Sequence, residues 1–111
     1  MNEPVARRDL AIAIDHPAFD GHFPGQPVLP GVALLAEVLE AARGEPLLAA
    51  CIGTAPRLGI VKFLAPVCPG ALLAIDFRLG ERTIDWRVGD GQREVASGKI
   101  ARADLGANEP R

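Results

Sequence analysis

His22 stands in the stretch "FDGHFPGQPVLPGVALLAEVLEAA", residues 19–42, where Pro24, Pro27 and Pro30 follow one another at intervals of three. An imidazole changes its charge near neutral pH and can take or give a proton in a reaction. Each of the three prolines fixes its own φ near ~-65° and biases the residue before it toward extended backbone. Gly21 and Gly25 supply tight bends. The loop therefore has few alternative conformations and holds His22 in a defined place, as a preorganised catalytic group requires. A loop histidine that only packs or caps fits the same prolines. At the end of the loop, Pro30 suits a first helical turn and Gly31 leaves the backbone bare for a close approach. Free N–H groups at such a helix mouth, with the helix dipole behind them, favour a carbonyl oxygen that gains negative charge. Many helices begin this way without binding anything.

The elements that must position this loop can be read on either side of it. Residues 9–14, "DLAIAI", predict a strand. From about Pro30 to Arg43 the segment "PGVALLAEVLEAAR" is rich in Ala, Leu and Glu, has no breaker after Gly31 and stops at Gly44, which predicts the one helix. Only Glu37, Glu40 and Arg43 interrupt its apolar character, so burial on more than one side is expected. Further on, the runs "LLAACIGTAPRLGIVKFL", "ALLAIDFRL", "TIDWRVG" and "REVASGKIARA" are separated by "PVCPG", "GER" and "DGQ". Links this short make hairpins, so the last three runs predict an antiparallel meander. Pro56 and Gly59 predict a bulge or bend in the first run. The expected architecture is α+β, one long helix wrapped by a curved antiparallel sheet, and a second copy would cover the face or edge left bare.

Composition bounds the function. The 111 residues form one domain, 1–111, with about 1–7 and 105–111 as loose tails. With 49% hydrophobic and 23% charged residues and a net charge of -2, nothing points to nucleic acid or to disorder. No apolar run approaches the ~20 residues of a membrane span, and "MNEPVARRDL" lacks the apolar centre of a signal peptide, so a cytoplasmic location is expected. Cys51 and Cys68 lie apart in apolar stretches without metal-ligand spacing, and both read as reduced, buried thiols. No metal and no cofactor are expected. His16, before a proline, reads as structural or solvent-facing; Trp86 reads as packing.

"GHFPGQPVLPGV" followed by an acidic helix, and "VKFLAPVCPGALL" heading a strand pair, closely resemble the hotdog-fold 3-hydroxyacyl-[acyl-carrier-protein] dehydratases of fatty-acid synthesis. The resemblance runs from about Asp15 to Ala103. It implies the hotdog fold, a homodimer or higher oligomer of dimers, and dehydration of acyl thioesters carried on acyl carrier protein or CoA. It implies His22 as the base that removes the α-proton and the Gly31 N–H as the group that polarises the thioester carbonyl. Phe19, Phe23, Pro30 and Ala36 are expected along the substrate path; two phenylalanines beside such a loop also suit simple core anchors. The family's helical carboxylate, fourteen residues after the histidine, falls on Ala36 here. Glu37 is turned ~100° from that position, whereas Glu40 lies within ~40° of its stripe and ~6 Å further along the axis. Helical side chains lean toward the N-terminus, so Glu40 is the favoured replacement acid and Glu37 the second. Pairing of Glu40 with Arg43, or exposure to water, is the plain alternative. A hotdog thioesterase and a catalytically impaired acyl-binding subunit are the rival functions, since one fold hosts many activities.

Overall fold

The computed structural model describes residues 4–19 and 28–104. Five strands form one antiparallel sheet in the order β1-β3-β4-β5-β2, with β1 at Ala6–Ala11, β2 at Leu58–Phe63, β3 at Leu72–Leu79, β4 at Thr83–Gly89 and β5 at Glu94–Ala101. The expected meander is β3-β4-β5, and the bulge falls in β2, where the register against β5 shifts between Leu58 and Val61. β1 begins at Ala6, and the Val5 N–H donates to the Phe77 carbonyl at 2.8 Å. Residues 5–7 are thus tied to the sheet and are no loose tail; residues 105–111 lie outside the described part.

One helix was expected, and the described residues hold two α-helices. α1 spans Gly31–Arg43, and α2 spans Pro46–Ile52 within a run read from the sequence as strand. The reason is local: "PLLAACI" opens on a proline in the first turn and consists mostly of good helix formers, with Ile52 its sole β-branched residue. Arg8 on β1 reaches Glu45 between the helices, Nη1 to Oε2 at 2.9 Å, and so ties the sheet to the α1–α2 junction.

The core lies on the helix side of the sheet. Ile75 and Phe77 of β3 stand opposite Val88 and Trp86 of β4, and Val88 and Ile84 stand opposite Ala96 and Ile100 of β5. All are buried, and burying each large side chain contributes ~1.5–3 kcal/mol. Gly98 faces Trp86 across the β4–β5 pair, and a Cβ there would come within 2.5 Å of the indole. The glycine makes room for the ring. α1 buries Leu34, Val38 and Ala42, one stripe at four-residue spacing. Its opposite stripe, Val32, Ala36, Glu40 and Arg43, is exposed. Ala33, Leu35, Leu39 and Ala41 on its flanks also pack against the core, so α1 is covered on more than one side as expected, and only the stripe that begins at Val32, 76% exposed, is left open.

Candidate active site

Pro30 precedes α1 with φ -60° and ψ 146°, and no side chain caps the helix. The Ala33 and Leu34 N–H groups turn back to the Pro30 carbonyl at 3.0 and 3.1 Å. The N–H groups of Gly31 and Val32 are the ones such a first turn leaves over, and neither has an acceptor among the described residues. Leu29 fastens this mouth from below by donating its N–H to the Val67 carbonyl at 2.7 Å. Phe63, the last residue of β2, lies over Gly31 so closely that a Cβ on the glycine would be 2.8 Å from Cζ of the ring. Pro30, Gly31, Leu34, Phe63 and Leu64 border a cavity of about 410 Å³ at this point. The chemistry it offers is a pair of unused N–H donors beside an apolar hollow. Sequence reasoning quoted Phe63 only inside a motif; its place on Gly31 depends on how β2 passes the helix and has no local signal.

His22 and Phe23, with the rest of 20–27, lie outside the described residues. Phe19 is half-buried and packs against the core. Pro30 lines the cavity, whereas Ala36 sits on the exposed stripe of α1. Glu40 shares that stripe, and no side chain among the described residues pairs with its carboxylate. The Glu40–Arg43 ion pair weighed from the sequence is not formed.

Glu37 is turned the other way. Its Oε2 lies 2.9 Å from Nε2 of His16, with the two side chains only 25% and 22% exposed. His16, read from the sequence as structural or solvent-facing, is thus half-buried and partnered. Nothing in the sequence links positions so far apart.

The displaced ionisations lie elsewhere. Register places Ala101 and Thr83 at the opposite end of the sheet from Phe63 and Ala96. Just beyond Ala101, Arg102 donates to Asp104 through Nε and Nη2 at 3.0 and 2.8 Å and holds that carboxyl at about 2. Burial, followed by the Asp104 charge, pushes the Cys51 thiol up, which leaves a poor nucleophile. Cys51 is buried as expected, but Cys68 is exposed. Its turn, between β2 and β3, carries it outside the core. Among the described residues no three His, Cys, Asp or Glu side chains gather to hold a metal, and no helix is long and apolar enough to cross a membrane.

A helix laid on one face of an antiparallel sheet whose order runs β1-β3-β4-β5-β2 is the hotdog fold. The sequence model of the ApeI-like family, described as ApeI dehydratase, matches residues 2–99, and the chain belongs to that family. Among curated proteins it is 36% identical over 104 residues to the 3-hydroxyacyl-[acyl-carrier-protein] dehydratase FabZ of Nitrobacter hamburgensis, covering 86% of this chain and 68% of that one. FabZ of Enterococcus faecalis is 30% identical over 105 residues, covering 91% and 73%. Among solved structures, the dehydratase heterocomplex ApeI:P from Xenorhabdus doucetiae matches with a TM-score of 0.71 and 26% identity over 92% of this chain and 97% of that one. The fluoroacetyl-CoA thioesterase FlK matches with a TM-score of 0.59 and 19% identity over 93% and 85%, a likeness of fold alone.

Proposed function

We propose that this protein dehydrates 3-hydroxyacyl thioesters borne on acyl carrier protein. The observation that carries the reading is the helix mouth, where the Gly31 and Val32 N–H groups have no acceptor among the described residues and open beside an apolar cavity. A thioester oxygen seated there gains two donors as negative charge develops on it. His22 takes the proton from the carbon α to the carbonyl, and the electron pair is held as an enolate at the helix mouth. The enolate then collapses, the C–O bond at the β-carbon breaks, and the leaving hydroxyl takes a proton from Glu40 to depart as water. His22 ends protonated and Glu40 ionised; one proton returned between them through solvent resets the pair.

Two copies complete the proposed enzyme. β2 is an edge strand, and its exposed Leu58, Ile60 and Phe63 would be covered if a second β2 paired beside it and joined the two sheets. The exposed α1 stripe would lie near the same seam, so Glu40 of one copy would serve the histidine of the other. Its carboxylate has no partner among the described residues to hold it back. A second reading, an acyl-binding subunit without turnover, draws on Ala36, which leaves the family's acid position empty.

The test is an assay of purified protein with 3-hydroxyacyl thioesters of several lengths on acyl carrier protein and on CoA, following enoyl product and free thiol together. Enoyl without thiol is expected. Thiol release would assign a thioesterase instead, and silence in both channels would assign the acyl-binding subunit.

A further inference from the structure

His16 makes contacts in several directions. Its Nδ1 lies 3.0 Å from the Ala18 backbone N–H, which can only donate. Nδ1 is therefore the acceptor and bears no proton, and Nε2 carries the ring hydrogen, which it donates to Glu37 Oε2 at 2.9 Å. The contact falls within ion-pair distance, but the Ala18 N–H makes it a hydrogen bond from a neutral ring to a carboxylate. The backbone of His16 adds two bonds, its N–H to the Ala13 carbonyl at 3.1 Å and its carbonyl from the Phe19 N–H at 3.0 Å. Its ring also meets Phe19 edge to face at 6.1 Å. This one side chain therefore organises the 3-10 turn Pro17–Phe19 and fastens it to the middle of α1.

We infer that His16 and Glu37 form a positioning pair, which fixes the Pro17–Phe19 turn against α1 and so sets the point from which the chain enters the segment that carries the proposed base, His22. The inference rests on the dehydratase reading above. It assigns Glu37 no proton transfer: its carboxylate faces its own chain's turn, not the stripe of Ala36 and Glu40. Misplacement of a reacting group by about 1 Å can cost up to 10²-fold in rate, so a pair of this kind acts on kcat and leaves substrate affinity alone.

The experiment compares Glu37→Ala with Glu37→Gln. Alanine removes the acceptor and favours the helix, so the fold is retained. Glutamine keeps a carbonyl oxygen that can accept the same Nε2 hydrogen. Glu37→Ala is expected to lose about tenfold or more in kcat with KM within about twofold, while Glu37→Gln keeps most of kcat. Equal activity of Glu37→Ala and the parent would overturn the inference. Equal damage in both variants would overturn it too, by making Glu37 a proton donor. The sequence holds two histidines, so nitrogen spectra of the imidazoles give a second readout that needs no turnover. One ring should show the Nε2–H tautomer and the other should shift in Glu37→Ala but stay in place in Glu37→Gln. If the parent makes no enoyl product, the dehydratase reading falls, and these spectra alone decide the pair: an unmoved second ring in Glu37→Ala overturns it.

Discussion

At the scale of single residues, the two helical glutamates divide according to what they face. Glu37 and Glu40 are three apart and chemically identical, yet one is engaged by His16 and the other stands on the exposed stripe with Ala36. A general acid must be free to meet its substrate, and only Glu40 meets that condition within the chain. Glu40→Gln is expected to lower kcat for dehydration by ~10²–10⁴-fold, since that is the usual worth of a positioned acid or base. The assay of enoyl formation checks it, with thermal unfolding unchanged because the side chain is exposed. Turnover equal to the parent would remove Glu40 from the mechanism. Helix geometry alone ranks Glu40 over Glu37 as a candidate. The His16 contact on Glu37 was not legible, because position 16 reaches it only through the packing of the first turn against α1.

At the scale of elements, periodicity and turn chemistry announced most of the architecture. Three alternating runs with short polar links became β3, β4 and β5, and the helix ended where Gly44 said it would. The misreading of α2 shows the limit. A seven-residue apolar run carries no period that separates strand from helix; the first-turn proline and the Leu and Ala residues decide it, a cue of composition and not of period. The β4–β5 pair makes a prediction of its own. Gly98→Ala would press a methyl group against the buried Trp86 ring, which has no room to yield. A loss of about 1–3 kcal/mol is expected, read as a lower urea midpoint at unchanged slope with the single tryptophan as the fluorescent probe.

At the scale of the whole molecule, the edge strand β2 exposes apolar side chains and one ion pair is sensitive to acid. Ile60 is 73% exposed on the edge strand β2, on the same sheet face as Lys62 and Lys99. Ile60→Lys would add a positive charge beside Lys62 and Lys99 and oppose edge-to-edge pairing, so sedimentation should show a single 11.7 kDa chain under conditions where the proposed parent dimer sediments at twice that mass. Acid acts through the far end of the sheet. Arg102 holds Asp104 at about 2, below its ordinary 3.8, so the folded state favours the charged form. The stabilisation is complete above 3.8 and is lost as pH falls toward about 2. Asp90, at the opposite end of β4, is held low by the Gln92 and Arg93 backbone N–H groups and acts with the same sign. Asp104→Asn should therefore flatten the dependence of stability on pH across that window, as followed by thermal unfolding at successive pH values.

What the sequence determined by itself is what local chemistry can encode: a histidine among prolines at spacing three, a bare glycine at a helix start, the meander and an alanine at position 36. Each depends on residues within one element or one turn. The tertiary structure decided which groups meet: Phe63 over Gly31, His16 on Glu37, Arg8 on Glu45 and Trp86 in the space left by Gly98. These contacts join positions from 12 to 37 residues apart. They exist because β4 pairs with β5 and because apolar burial folds α1 onto one face of the sheet, and no spacing in the chain records which side chains that closure brings together.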